Sequence, residues 1–436
     1  MQSNVKGMNS KKEENFSEWY TQVIEKAELI EYSPVSGCII LRPRSYYVWE
    51  RIRNFLDEKI KSKGIKNVYF PLLIPEELLK KESKHVEGFS PEVAWVTEAG
   101  DSKLSERLAI RPTSETIMYD TYRKWIRSYR DLPLLLNQWA NVIRWEFKNS
   151  VPFLRTREFL WQEGHTVFAT KEESEKHAVE ILEEYISTYE NLLAVPVLAG
   201  RKTESEKFAG ADTTYSIETI APNGKAVQCA TSHCLGQNFS KAFNIKFLDK
   251  NEESKFAWQN CWGFSTRSIG IMIMLHSDDK GLVLPPKVAM NKVVIVPIIL
   301  SKDKNKVLSK AKMLQKSLSS FDPILDDRED KRPGEKFSYY EMTGVPLRIE
   351  IGPKELAKNH VVVVRRDNFE KKNVKIKDLN KFIEKSLVKM HKDMLLKAKK
   401  KLDDNIVTVS NINELTNAIN NRKVARARFC CNSSCE

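Results

Sequence analysis

Residues 142–165 carry a row of side chains that no hydrophobic core would tolerate. Val142-Ile143-Arg144-Trp145-Glu146-Phe147 predicts one strand, and Arg157-Glu158-Phe159-Leu160-Trp161-Gln162-Glu163-Gly164-His165 predicts a second. The loop between them, Lys148 to Thr156, carries Arg155. Alternation along a strand sends Arg144 and Glu146 to one face of the first run. It sends Arg157, Phe159, Trp161, Glu163 and His165 to one face of the second. Cations for anions, flat rings for stacking and carboxylates for amines make that row a binding floor. A solvated sheet face would rarely mix two large aromatics with alternating charges. Elsewhere, Cys229-x-x-x-His233-Cys234 offers zinc-ligand residue types, but only three ligands within one strand and its turn, short of a closed four-ligand site.

The elements that must position these side chains can be read from spacing and punctuation. A helix is predicted from Phe16 to about Leu29, and a second from Tyr46 to Lys63, stopped by Gly64. Val68-Tyr69-Phe70-Pro71-Leu72-Leu73-Ile74 reads as a strand whose proline places it at an edge or interface, because proline cannot donate to the ladder. After a helix from Glu77 to Ser83 comes a loop containing Phe89. A further helix starts at Ser114 or Glu115 and carries Ile117, Met118, Tyr122 and Trp125. Thr170-x-x-Glu173 is a capping box that opens a long helix. Its stripe of Ala178, Ile181, Leu182, Tyr185 and Tyr189 has the 3.6 period of a buried face. Tyr215–Ile220 and Ala226–Ala230 read as strands around a Pro222-Asn223-Gly224 turn. Past Pro285-Pro286 the chain alternates strand with helix, which predicts a small α/β domain with a mixed or parallel sheet. The expected division is a disordered leader (1–15), a catalytic unit (16–289), a second domain (290–385) and a C-terminal segment (386–436).

Composition limits the function classes. The 436 residues suffice for two or three domains with real cores. Lys plus Arg number 71 against 58 Asp plus Glu, a formal charge of +13 that favours a polyanionic partner. The cysteines are few, odd in number and clustered late, unlike a secreted disulfide framework. No apolar run approaches the about 18 residues of a membrane span. The start lacks a signal peptide's apolar core. A reducing compartment, the cytosol, is the expectation, with no membrane partner.

The motifs carry a resemblance. Arg144-x-Glu146, then a loop, then Arg155-x-x-x-Phe159-x-x-x-Glu163, resembles the second signature motif of class II aminoacyl-tRNA synthetases. Arg111-Pro112-Thr113-Ser114-Glu115, Trp161-Gln162-Glu163-Gly164-His165 and Thr231-Ser232-His233 are similar to the prolyl family of these enzymes, in its eukaryotic and archaeal type. The resemblance runs from about Trp19 to the last residue. It implies an α/β (α+β) fold: an antiparallel sheet flanked by helices, with an anticodon-binding domain behind it. It implies a homodimer built on the helix from Tyr46 and the strand containing Pro71. It also implies ATP, magnesium, L-proline and tRNA(Pro) as cofactors and partners.

Attack of an amino acid carboxylate on the α-phosphate of ATP needs two anions held in line and the growing charge neutralised. Arginine suits this because it stays charged and grips oxygens in pairs. By resemblance, Arg144 bridges the substrate carboxylate and α-phosphate, Arg155 contacts the γ-phosphate, and Arg267 packs over adenine. Thr266 stands before Arg267 where many class II enzymes have Glu, a departure that the prolyl family shares. Phe159 is the implied adenine platform and Glu146 the acceptor for its amino group, with Thr156, Gln228 and Thr231 as further nucleotide contacts. Thr113 and Glu115 match the loop that grips the ammonium, and Phe89, Trp161, Glu163, His165 and His233 the amino acid pocket. Residues 166–261 leave no room for the large editing insertion of bacterial relatives. Lys336, Glu341 and Arg348 are the candidate anticodon readers. Cys430 and Cys435 match half of a C-terminal zinc site. A closed site wants four ligands, and the second pair is missing, so no zinc site is assigned.

Overall fold

The computed structural model describes residues 7–83, 92–299, 303–432 and 434. A central sheet is built from β1 (Lys66–Asn67), β2 (Leu134–Ile143), β3 (Glu158–Phe168), β4 (Leu198–Arg201), β5 (Thr213–Ile220), β6 (Ala226–Gly236) and β7 (Trp258–Ser265). Their spatial order is β1-β2-β3-β7-β6-β5-β4. β1 runs parallel to β2, and every other neighbouring pair is antiparallel.

Each face of this sheet receives a different layer. On one face lies the helix α1 (Lys171–Ser187), opened by the expected Thr170/Glu173 capping box. Its buried stripe includes Ala178, Ile181, Leu182 and Tyr185. The Tyr185 ring meets Phe264 of β7 at 5.5 Å, and Tyr189, one turn beyond α1, meets the same ring at 5.2 Å. Each such fully buried side chain contributes roughly 1.5–3 kcal/mol of transfer free energy. The stripe is therefore core. On the opposite face Met118, Tyr119 and Tyr122 of the helix Glu115–Trp125 pack with Val167, Leu235 and Cys261. That face, beyond the end of this helix, carries the cleft described below.

Three local expectations are corrected. The run from Val68 to Ile74 is not one strand: Lys66–Asn67 joins the central sheet, and Leu73–Pro75 joins a separate three-stranded sheet. Pro71 lies in the irregular stretch where the chain changes sheets, consistent with its lack of an N–H. β2 ends at Ile143, so Arg144 and Glu146 lie just past it, although the Arg144 N–H still donates to the Arg157 carbonyl at 2.8 Å. Residues 7–15 of the expected leader are docked. Met8 packs on the core, the Asn9 N–H donates to Gln22 at 2.8 Å, and Lys12 donates to Asp279 and to the Ser277 carbonyl.

The second domain has a mixed sheet of β8 (Val293–Pro297), β9 (Ile324–Leu325), β10 (Leu347–Ile351), β11 (His360–Arg365) and β12 (Lys371–Lys375), in the order β9-β8-β10-β11-β12. The β9-β8-β10 side is parallel and the β10-β11-β12 side antiparallel. The helix Lys304–Ser317 and the start of the long helix Leu379–Asp404 bury one face, around Val293, Ile349, Val361 and Ile383. The helix Pro333–Met342 covers the other, where Tyr340 packs on Val294 and Val296. This domain meets the first at backbone distance. The Leu282 N–H donates to the Met342 carbonyl at 3.0 Å. A Cβ on Gly281 (φ +121°) would lie 2.7 Å from Met342 Cα, and one on Gly344 (φ +74°) would lie 2.9 Å from the Leu282 carbonyl oxygen. Beside them Arg366 grips Asp278 through both guanidinium nitrogens, at 2.7 and 2.6 Å, and caps the Glu341 carbonyl at 2.7 Å.

Candidate active site

A cleft of about 340 Å³ opens on the sheet. Cross-strand register sets its floor. Glu163 of β3 pairs with Gly263 of β7, which pairs with Thr231 of β6; one rung further on, His165, Cys261, His233 and Thr214 form a continuous row across four strands. Phe159, Trp161, Glu163 and His165 follow one another along β3 by strand alternation and all line the cleft, with Thr113, Glu115, Arg144, Gln228, Thr231, His233 and Arg267.

One end is cationic and aromatic. The Arg144 guanidinium sits 5.5 Å from the Phe159 ring and 5.3 Å from the Trp161 ring, and its Nε donates to the Pro112 carbonyl at 3.2 Å. Arg267 starts the helix Arg267–His276, with Nε on the Leu154 carbonyl at 3.0 Å. Guanidinium groups held by backbone carbonyls keep their outward N–H donors available for phosphate or carboxylate oxygens.

The other end contains two carboxylates in contrasting states. Glu163, 1% exposed, is saturated. It accepts from Thr113 Oγ1 (3.2 Å), the Ser114 N–H (3.0 Å), Ser114 Oγ (2.5 Å) and Gln138 Nε2 (3.1 Å), with His165 Nε2 at 3.1 Å. Burial opposes its ionisation, but the His165 and Ser114 contacts outweigh it and hold its pKa below the ordinary carboxylate range. Glu115, 3% exposed, is starved: Cys261 hydrogen-bonds its carboxyl, and Oε2 has no hydrogen-bond partner among the described residues. Burial pushes its pKa up. A buried carboxylate with a vacant oxygen, lining a cleft, is built for an incoming cation. Glu163 organises the turn that presents it. The histidines are also spoken for: His165 Nδ1 faces Tyr119 Oη at 3.1 Å. His233 Nδ1 faces Thr214 Oγ1 at 2.9 Å under the Phe208 ring, and burial lowers its pKa to about 3. Both rings are fixed as shaped walls of the cleft.

Not every residue singled out from the sequence converges here. Arg155 is exposed and stacks on Phe147 at 4.7 Å. Arg157 turns away to lie over Trp145 at 4.4 Å and to donate to the Ser36 carbonyl. Glu146 and Thr156 do not line the cleft. Glu146 has a buried Oε2 without a partner among the described residues, and Thr156 Oγ1 is bound to the Glu158 carbonyl at 2.7 Å. Phe89 and Cys435 lie outside the described residues. Cys430 is exposed, and no group of three or more His, Cys, Asp or Glu among the described residues is arranged to hold a metal ion. In the second domain Lys336 is 3% exposed, with Nζ on the Asp326 carbonyl at 3.0 Å, and Arg348 is 7% exposed, bridging Glu341 at 2.6 Å and Glu350 at 3.0 Å. The sequence reading missed Glu206, Phe208, Thr214 and Cys261, which line the cleft. Only the strand register, which pairs Thr214 with His233 and Cys261 with His165, brings the last two in.

Residues 95–276 match the tRNA synthetase class II core domain (G, H, P, S and T), and residues 292–386 match the anticodon binding domain. With the antiparallel sheet and the arginine-bearing cleft, these make the chain a class II aminoacyl-tRNA synthetase. It is 49% identical over 425 residues to a proline–tRNA ligase of Natranaerobius thermophilus, covering 97% of this chain and 88% of the relative. It is 50% identical over 428 residues to proline–tRNA ligase 2 of Bacillus anthracis (98% and 84%), and 49% identical over 425 residues to a proline–tRNA ligase of Clostridium botulinum (97% and 88%). The chain belongs to the proline–tRNA ligase family. These relatives are bacterial.

Proposed function

We propose that the cleft activates L-proline with ATP and that the protein then transfers the prolyl group to tRNA(Pro). The observation that carries this reading is the vacant Glu115 oxygen set on one floor with two carbonyl-anchored arginines. Proline's secondary ammonium has two N–H donors: one for Glu115, one for the Thr113 hydroxyl. Its carboxylate then extends toward Arg144, and its saturated ring lies against Trp161 between His165 and His233. Adenine stacks on Phe159, with Gln228, Thr231 and Arg267 around the nucleotide and Glu146, Thr156 and Arg155 at its margin. A proline carboxylate oxygen attacks the α-phosphorus, pyrophosphate leaves, and the charge gathering on the α-phosphate is met by Arg144. In the second step a terminal ribose hydroxyl of tRNA attacks the prolyl carbonyl and AMP leaves. Magnesium bound to the ATP phosphates would offset charge that the arginines leave unmatched.

The second domain reads the anticodon in this proposal, with Glu341, the least committed of the three candidates, nearest to availability and with Lys336 and Arg348 shaping the surface. Unpaired anticodon bases are recognised on their edges by such donors and acceptors. The charge of +13 favours the polyanion. The working unit is a homodimer joined across the helix Pro43–Ser62 and the stretch around Pro71, where Tyr46, Tyr69, Leu73 and Trp125 are exposed. No helix among the described residues is long and apolar enough to cross a membrane, and we place the protein in the cytoplasm. ATP–pyrophosphate exchange with each amino acid in turn tests the reading. Proline-dependent exchange is expected, and exchange driven best by another amino acid would overturn it. A monomer by sedimentation at micromolar concentration, with full exchange activity, would overturn the dimer.

A further inference from the structure

We infer that Gln138 is a positioning residue that couples the exposed stretch 68–73 to the ammonium end of the cleft. The inference rests on the reading above, that the cleft takes proline and that this stretch meets a second copy of the chain. Gln138, on β2, is fully buried. Its Oε1 accepts the Phe70 N–H; its Nε2 donates to Ser114 Oγ at 2.8 Å and Glu163 Oε1 at 3.1 Å. The amide cannot be turned over, because its oxygen faces a donor and its nitrogen faces a carboxylate. Phe70 is held from the other side as well: its carbonyl accepts from Arg111 Nη1 at 2.8 Å, and the Arg111 N–H donates to the Leu72 carbonyl at 3.0 Å. Arg111, itself buried, stands two residues before Thr113. Both polar groups of the Phe70 backbone are thus tied to the turn that presents Thr113 and Glu115.

The outward side of the stretch is uncovered. Tyr69 is 73% exposed, Leu73 38%, and Trp125, whose ring lies 6.0 Å from Phe70, 50%. A second copy seated on these side chains fixes Phe70. Through Gln138 it also fixes Ser114 and Glu163, the scaffold of the starved Glu115. Among the described residues, Phe159, Gln228 and Arg267 make no hydrogen bond to Gln138, Ser114 or Phe70, so the effect falls on proline and spares ATP. A network whose members have one shared geometry transmits displacement because packed interiors do not deform continuously.

The test is proline-dependent ATP–pyrophosphate exchange by the full-length parent, Gln138→Met, Tyr69→Ala and the double variant, with sedimentation and thermal melting of each. Gln138→Met should raise KM for proline at least tenfold, leave KM for ATP within twofold and keep a cooperative melt. Tyr69→Ala should raise KM for proline several-fold in the parent background and less than twofold in Gln138→Met, since the link is already cut. Equal rises in both KM values, an unchanged proline KM in Gln138→Met, or effects that multiply in the double variant would each overturn the coupling. Should Gln138→Met not fold, Ser114→Ala removes the other end of the same link, and the same KM pattern is required of it. Failure of the underlying reading shows separately, as a parent without proline-dependent exchange or without a dimer.

Discussion

Glu115→Gln separates ligand binding from folding, because the two readouts should move in opposite directions. The parent carboxyl is buried, bonded to Cys261 and vacant at Oε2. A hydrogen bond between charged partners is worth about 1.5–3 kcal/mol. Losing the carboxylate's share of the ammonium contact should therefore raise KM for proline roughly ten- to a hundredfold, at about 1.4 kcal/mol per factor of ten. KM for ATP should stay within a few-fold, since Glu115 lies at the opposite end from Arg267. Stability should move the other way. Burial raises the folded pKa of Glu115 above its ordinary 4.5. A raised acid favours the fold while protonated and loses that contribution as pH rises through the folded pKa. As pH rises past the ordinary carboxyl range, the half-bonded buried group becomes a liability of about 1–3 kcal/mol, and an amide relieves part of it. The variant should thus melt above the parent at neutral pH, and the gap should close in acid. Exchange kinetics on both substrates and melting curves across pH 4–8 check this. Equal rises in both KM values with a lower melting temperature at neutral pH would refute it, making Glu115 a structural partner of Cys261.

Three further outcomes follow from the same geometry. Arg144→Ala should lower proline-dependent exchange by about 10² or more, the scale for losing one charge-stabilising group, while circular dichroism stays at the parent level; exchange within tenfold of the parent would end its assigned role. Arg348→Glu would set a third carboxylate between Glu341 and Glu350. Breaking such a buried pair costs about 3–5 kcal/mol, so limited proteolysis should open the second domain and aminoacylation should fail while exchange persists; a variant as protease-resistant as the parent would refute this. Arg366→Ala removes the grip on Asp278 and should raise KM for tRNA without changing KM for proline or ATP, as measured by aminoacylation; an unchanged tRNA KM would show that the clasp is dispensable.

The cleft was legible where side-chain period alone decides direction. Phe159, Trp161, Glu163 and His165 must share a face of any strand that holds them, and the structure has them in a line. It was illegible where contacts join distant segments. Nothing near Glu163 announces that its oxygens belong to Ser114 and Gln138, so the sequence presents two equivalent acids where the fold makes one a scaffold and the other a receptor. Arg348 and Glu350 alternate with Leu347 and Ile349 as a surface pair would, but the helix Pro333–Met342 brings Glu341 over them and buries the charges. The Val68–Ile74 run showed β-propensity without showing that its two ends join different sheets. The polar residues 7–15 looked unfolded because their partners, Gln22, Ser277 and Asp279, are side chains and carbonyls that composition cannot anticipate.

The glycine joint between the domains has a consequence for what the molecule measures. With Gly281 against Met342 Cα and Gly344 against the Leu282 carbonyl, the two bodies touch at main-chain distance at this point, beside the Arg366–Asp278 clasp. Such a hinge without slack behaves as the rivet of a calliper. In the proposed reading one jaw holds the activated amino acid and the other the anticodon loop, and the main-chain contact at the joint helps fix the gap between them. A tRNA whose arms did not span that gap would then be disfavoured by its length as well as by its bases.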